Sequence, residues 1–158
     1  MKRISIYCLM LVTFSIIPLP SLAQQPAIAA KGIRNGASYA LPGLPNAGIA
    51  QGSIIVIFGD NLGSAALVQV SSFLLPTSQG LSGTSVSVTV GNTTLSAIML
   101  YTLKTQVAAV LPSNTPVGTG TLRVIYKGQT SAPASITVVA RAFGIFALNQ
   151  AGLTGDSL

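Results

Sequence analysis

The stretch QGSIIVIFGDNLG, residues 51–63, decides how the chain is read. It joins an unbroken apolar run, Ser53-Ile54-Ile55-Val56-Ile57-Phe58, to a sharp turn, Gly59-Asp60-Asn61-Leu62-Gly63. β-branched residues suit a pleated, packed surface, so a run ending in such a turn predicts the first buried strand of a sheet sandwich. The glycines at both ends of the turn are expected to supply positive φ, and Asp60 to cap it. Alternation places Ile54, Val56 and Phe58 towards the core and Ile55 and Ile57 on the opposite face. Two readings of that opposite face stand: it is covered by the chain's own loops, or it docks another domain or chain. The second makes Ile55 and Ile57 the candidate interface, because contiguous exposed apolar surface marks interaction sites.

Downstream of the turn the chain reads as strands and turns. Leu67 to Val70 is a short strand, and Phe73 to Leu75 plug one end of the core before Pro76. In Thr84 to Val90, Val86, Val88 and Val90 share one face while Ser85, Ser87 and Thr89 share the other, the period-two pattern of a half-buried strand. Gly91-Asn92 separates it from a strand over 93–101, and a two-residue Gly-Asn connection predicts a type II′ hairpin. The sequon Asn92-Thr93-Thr94 is thereby a turn before it is a glycosylation site. Thr105 to Leu111 is a further strand, stopped by Pro112. Thr121 to Tyr126 follows with Leu122, Val124 and Tyr126 inward and Arg123 outward. Lys127-Gly128-Gln129 then turns the chain into Ser135 to Val139. Strand starts spaced mostly 9–16 residues apart, without a helical period, predict an all-β, immunoglobulin-like sandwich of about seven strands.

Ahead of residue 51 the organisation changes. Met1-Lys2-Arg3, the apolar run Ile4 to Ile17, Pro18 and Pro20, and the small-residue site Ser21-Leu22-Ala23 have the form of an export signal over 1–23, cleaved before Gln24. Retention as an anchor is the alternative, although the run is shorter than the ~20 residues of a membrane span. Residues 24–50 are expected to be an extension and edge segment, a loop leading into the first main strand. The sandwich is expected over 51–142 and an exit segment over 143–158. The one cysteine, Cys8, lies in the signal, so cleavage leaves no thiol for a disulfide or a metal.

Composition narrows the chemistry. The 158 residues suffice for one domain with a core. Charged residues are 6% of the chain, against roughly 25% in ordinary soluble domains. There is no His, Glu or Trp, and Asp60 and Asp156 are the only acids. General acid–base chemistry needs a titratable group set against a substrate. Only the distant pair Asp60 and Asp156, or an unspaced Ser with Lys104 or Lys127, is on offer. Metal ligands and phosphate-binding loops are missing as well, so the chain is expected to be no enzyme and to use no cofactor. The net charge is +6, and Lys31, Arg34, Lys104, Arg123, Lys127 and Arg141 are scattered singly. Without a basic stripe, nucleic acid is not expected among the partners.

Four segments stand in a telling order: Asn35-Gly36-Ala37-Ser38-Tyr39, Gly52-Ser53 to Leu62, Leu75-Pro76-Thr77 to Val90, and Gly144-Ile145-Phe146. With Gln106-Val107-Ala108-Ala109-Val110-Leu111-Pro112 between the last two, they resemble the uncharacterised C-terminal domain family of secreted acidobacterial (Solibacter-type) proteins. The turn at Gly59 to Gly63 and the following hairpin are also similar to IPT/TIG-type immunoglobulin-like domains. The resemblance covers about residues 30–150 and implies the same sandwich. It brings no catalytic residue and no ligand. Phe143 stands where the family usually has Pro, and family members commonly continue into a second β unit. The chain is therefore expected to be a one-unit version or a truncated one.

The functional expectation is an exported, non-catalytic module for protein–protein or cell-surface assembly. Its partner would be a protein or a second β domain, with no membrane span left after signal cleavage. The alternatives are a polysaccharide-binding module or a fragment of a larger secreted protein. A sugar platform needs at least two solvent-facing aromatic rings on one surface. Tyr101 and Tyr126 fall on the inward phase of their strands, which favours core packing. Exposed apolar residues at Phe143 and Phe146 would favour the fragment.

Overall fold

The computed structural model describes residues 24–71 and 80–146. In chain order the strands are β1 Ala27–Asn35, β2 Ile49–Ala50, β3 Ile54–Asp60, β4 Val68–Gln69, β5 Thr84–Val90 and β6 Thr93–Ser96. They continue with β7 Ile98–Thr102, β8 Gln106–Val110, β9 Gly118–Tyr126, β10 Gln129–Thr130 and β11 Ala134–Val139. The described residues contain no helix, and hence none long and apolar enough to cross a membrane. One sheet has the order β1-β3-β8-β7-β4; the other runs β2-β11-β9-β5-β6, with β10 added to β9. All pairings are antiparallel except that of β2 with β11.

The two sheets share one core. The first contributes Ile55, Ile57, Met99, Val107 and Ala109; the second contributes Val86, Val88, Val90, Leu122, Val124, Ile136 and Val138. Each fully buried aliphatic side chain contributes roughly 1.5–3 kcal/mol relative to its exposed form. At one end a hydroxyl pair ties the sheets together, Thr84 of β5 to Thr102 of β7 at 2.8 Å. Gly63 lies against both of these hydroxyls, so no Cβ fits there.

The turn after β3 is built differently from the expectation. The positive φ belongs to Asn61 (φ 55), while Gly59 and Gly63 serve close approach, Gly59 to the Ala27 carbonyl. Asp60 is exposed and caps nothing among the described hydrogen bonds; the turn is held instead by the Leu62 N–H on the Lys104 carbonyl, 2.8 Å.

β5 and its hairpin match the expectation. Val90 pairs with Thr93 across Gly91-Asn92, and Gly91 has φ 57 while Asn92 keeps negative φ, as a type II′ turn requires. The strand expected over 93–101 is two strands. β6 pairs with β5 in one sheet and β7 with β8 in the other, and the chain crosses at the buried Ala97. Residues 24–50 are not simply a loop: β1 forms an edge of the first sheet against β3, and β2 an edge of the second. The expected signal over 1–23, the plug at Phe73 to Leu75, Asp156 and the end of the exit segment lie outside the described residues.

Candidate functional site

The faces of β3 are the reverse of the expectation. Ile55 and Ile57 are fully buried between the sheets. They are no docking surface, and that assignment is corrected. Val56 and its neighbours Ile54 and Phe58 form the outer face of the first sheet. Val56 is nevertheless only 3% exposed, although it lies outside the shared core. The chain's own turn after β1 reaches this face, with Gly36 against Ile54 and the Tyr39 ring beside Phe58.

That turn is fixed by a buried side chain. Asn35, 2% exposed, accepts the Ala37 N–H at 2.9 Å and the Ser38 N–H at 3.3 Å through its Oδ1. Its carbonyl accepts the Tyr39 N–H at 3.0 Å, and the Gly36 N–H donates to the Ile54 carbonyl at 2.8 Å. Tyr39 is thereby held at φ 52, a conformation that costs a non-glycine residue about 1–3 kcal/mol and persists only when its surroundings impose it. Its ring lies 6.2 Å from that of Phe58, tilted by 57°. Arg34 pairs with Val56 and so shares this face, with its guanidinium carbon 5.1 Å from the centre of the Phe58 ring. The Arg34 Nε is buried and has no hydrogen-bond partner among the described residues.

Tyr101 completes the cluster. A bulge between Met99 and Tyr101 shifts the phase of β7, so Tyr101 pairs with Ala108 on the outer face instead of pointing into the core. Arg34, Val56, Ala108, Tyr101 and Gln69 thus form one row across the sheet. The Gln106 amide donates to the Tyr101 hydroxyl at 2.6 Å. Burial pushes the Tyr101 phenol above its ordinary 10.0, the neighbouring Tyr39 adds to the rise, and the hydrogen bond from Gln106 opposes it. Tyr126 keeps its inward phase opposite the buried Thr84 but is only half-buried, with the Lys127 ammonium 5.3 Å from its ring centre. Arg34, Tyr39, Phe58 and Tyr101 were not singled out as a site in the sequence; the Asn35-to-Tyr39 segment was its one visible trace.

A second feature lies at one end of the two sheets. The exposed large hydrophobics of the described residues are Leu41, Leu44, Leu67, Val117, Phe143, Ile145 and Phe146. Leu41 and Leu44 lie between β1 and β2, Val117 just before β9, and Phe143, Ile145 and Phe146 close together after β11, at the end where β1 finishes. Gly144 packs there against Ala37 and Ser38, each 2.8 Å from where its Cβ would be. Phe143 is 79% exposed and Phe146 50%. Along the open side, between β1 and β11, two adjoining hollows of about 290 and 330 Å³ share Ile33, Pro42 and Ser135. They are mainly apolar and bring no cluster of polar groups together.

No protein-family model and no curated protein matches the chain. Among solved structures it is similar to a "Putative bacterial DNA binding protein" from Bacteroides vulgatus ATCC 8482, with a TM-score of 0.46 and 13% identity. The match covers 73% of this chain and 48% of that one. At this level the likeness decides neither the fold nor the ligand of this chain. That neighbour is named for DNA binding, against the expectation that left nucleic acid out of the partners, and that expectation is withdrawn.

Proposed function

We propose that the chain is an exported, non-catalytic immunoglobulin-like module that assembles with another protein through its apolar end. The observation that carries this reading is the run Phe143, Ile145 and Phe146, three large apolar side chains exposed side by side where Gly144 packs against the turn after β1. Contiguous exposed apolar surface of this kind marks interaction sites. The immunoglobulin-like assignment draws support from the sheet orders and from the parallel pairing of a short early strand, β2, with the last strand, β11. Export is supported by the residue pattern of 1–23, and membership of the acidobacterial family by the order of its segments. The test is a photo-cross-linking amino acid placed at Phe143 and, as a control, at Leu67 on the opposite end. Adducts from position 143 and none from 67 are expected on producing cells; equal adducts, or none, would defeat the reading.

A second reading, polysaccharide binding, is favoured by one observation: Tyr39, Phe58 and Tyr101 gather on one sheet face, each partly exposed.

A further inference from the structure

We infer that the outer face of the first sheet is a binding site for an acidic polysaccharide, with Arg34 receiving a uronate carboxylate. The inference deepens the carbohydrate reading and is independent of the apolar end. It starts from a half-buried cation, Arg34, that has no acidic partner among the described residues. Asp60 is the only carboxylate side chain among the described residues, and the Arg34 Nε is buried without a hydrogen bond. Buried charges and polar groups are ordinarily paired, and an orphan one needs a reason. The Phe58 ring beneath the guanidinium stabilises the cation but cannot accept its in-plane N–H groups. The buried Nε is closed to a ligand, and it is the terminal amino groups on the accessible side of the guanidinium that a planar two-oxygen anion would bridge.

The surroundings select the rest of the ligand. Tyr39 and Phe58 offer aromatic faces and edges to the C–H side of a sugar ring. The Tyr101 hydroxyl and the Gln106 amide, already joined at 2.6 Å, offer donors and acceptors for sugar hydroxyls on the same face. The Asn35-anchored turn holds Tyr39 in its left-handed conformation before any ligand arrives, so little ordering cost remains at binding. An acidic peptide would also satisfy the cation, but it makes no comparable use of hydroxyl and amide groups beside aromatic rings.

The test is affinity electrophoresis of the purified chain in gels containing sodium polygalacturonate, neutral dextran, polyglutamate or duplex DNA. Retardation by polygalacturonate is expected, with Arg34→Gln weakening it by about tenfold and Lys104→Gln, an equal charge loss elsewhere, having little effect. Equal losses in the two variants would reduce the effect to net charge and overturn the site. Arg34-dependent retardation by polyglutamate or DNA matching that by polygalacturonate would overturn the ligand class. Binding to dextran alone would overturn the anion but leave carbohydrate binding standing, and binding to neither glycan would remove both. Should Arg34→Gln fail to fold, the Nε–H resonances of the unmodified protein decide. A shift of the Arg34 signal with oligogalacturonate supports the site, and shifts confined to Arg123 or Arg141 overturn it.

Discussion

Thr84 and Thr102 are buried, polar and satisfied by one another, 2.8 Å apart between the two sheets. Deleting one hydroxyl strands the other in an apolar setting, whereas deleting both leaves two shapes that still pack. Thr84→Val or Thr102→Val is therefore expected to cost about 1–3 kcal/mol in urea unfolding, and the double variant less than the sum of the two. Strict additivity would mean that the pair does not interact. Tyr101 makes a different residue-level claim. Its phenol is raised above 10.0, first by burial and then by Tyr39. Below the unfolded value both states hold the proton; above it the unfolded chain releases the proton while the folded one keeps it. The stability linked to Tyr101 is thus complete below about pH 10 and falls as pH climbs through the raised folded value. Urea midpoints measured from pH 9 upward should fall more steeply for the native chain than for Tyr101→Phe, and parallel slopes would exclude the linkage.

Among the elements, β1 shows how a strand can hide in a sequence. Ile28 pairs with Gly59 and Ile33 with Ile57, so Ala29, Ala30, Lys31 and Gly32 all stand opposite Phe58 alone. Lys31 takes φ 57 within this bulge, and a Cβ on Gly32 would meet the Phe58 carbonyl oxygen at 2.5 Å. Backbone cannot yield as a flexible side chain does. Gly32→Ala is expected to destabilise the chain by about 1–3 kcal/mol and to speed amide exchange in β1 ahead of β5. Exchange unchanged in β1 would show that the bulge relaxes freely. Three extra residues erase period two, which is why 24–50 reads as a loop. A bulge likewise turns Tyr101 outward. β5 was legible for the opposite reason: it pairs with β9 through seven successive positions without a shift, so Val86, Val88 and Val90 alternate cleanly. In β3 the apolar run covers both faces, and no residue within Ile54 to Phe58 distinguishes them. The cluster on the outer face draws Tyr39 from the turn after β1, well before β3 in the chain, and has no local signal beyond that turn.

For the molecule as a whole, charge is lopsided. The described residues hold six cations, Lys31, Arg34, Lys104, Arg123, Lys127 and Arg141, against the single carboxylate of Asp60. Ion pairs therefore contribute little to holding the two sheets together, and the mean electrostatic effect is repulsion among like charges. Exposed ion pairs are worth at most about 1 kcal/mol each even where they exist. Cohesion rests on the shared apolar core, which sodium chloride leaves largely unaffected, while the screening length shortens from about 30 Å at 0.01 M to about 3 Å at 1 M. Across that range the free energy of unfolding is expected to hold steady or to rise by up to ~1 kcal/mol, measured by urea titration at neutral pH. A fall would mean that attraction between charges outweighs repulsion, contrary to six cations facing one carboxylate. The opposite salt response is expected of ligand binding: retardation by polygalacturonate should weaken as salt rises, because the same unbalanced cations that repel one another attract a polyanion. Salt thus separates the two contributions, steadying the fold while loosening its hold on an acidic partner.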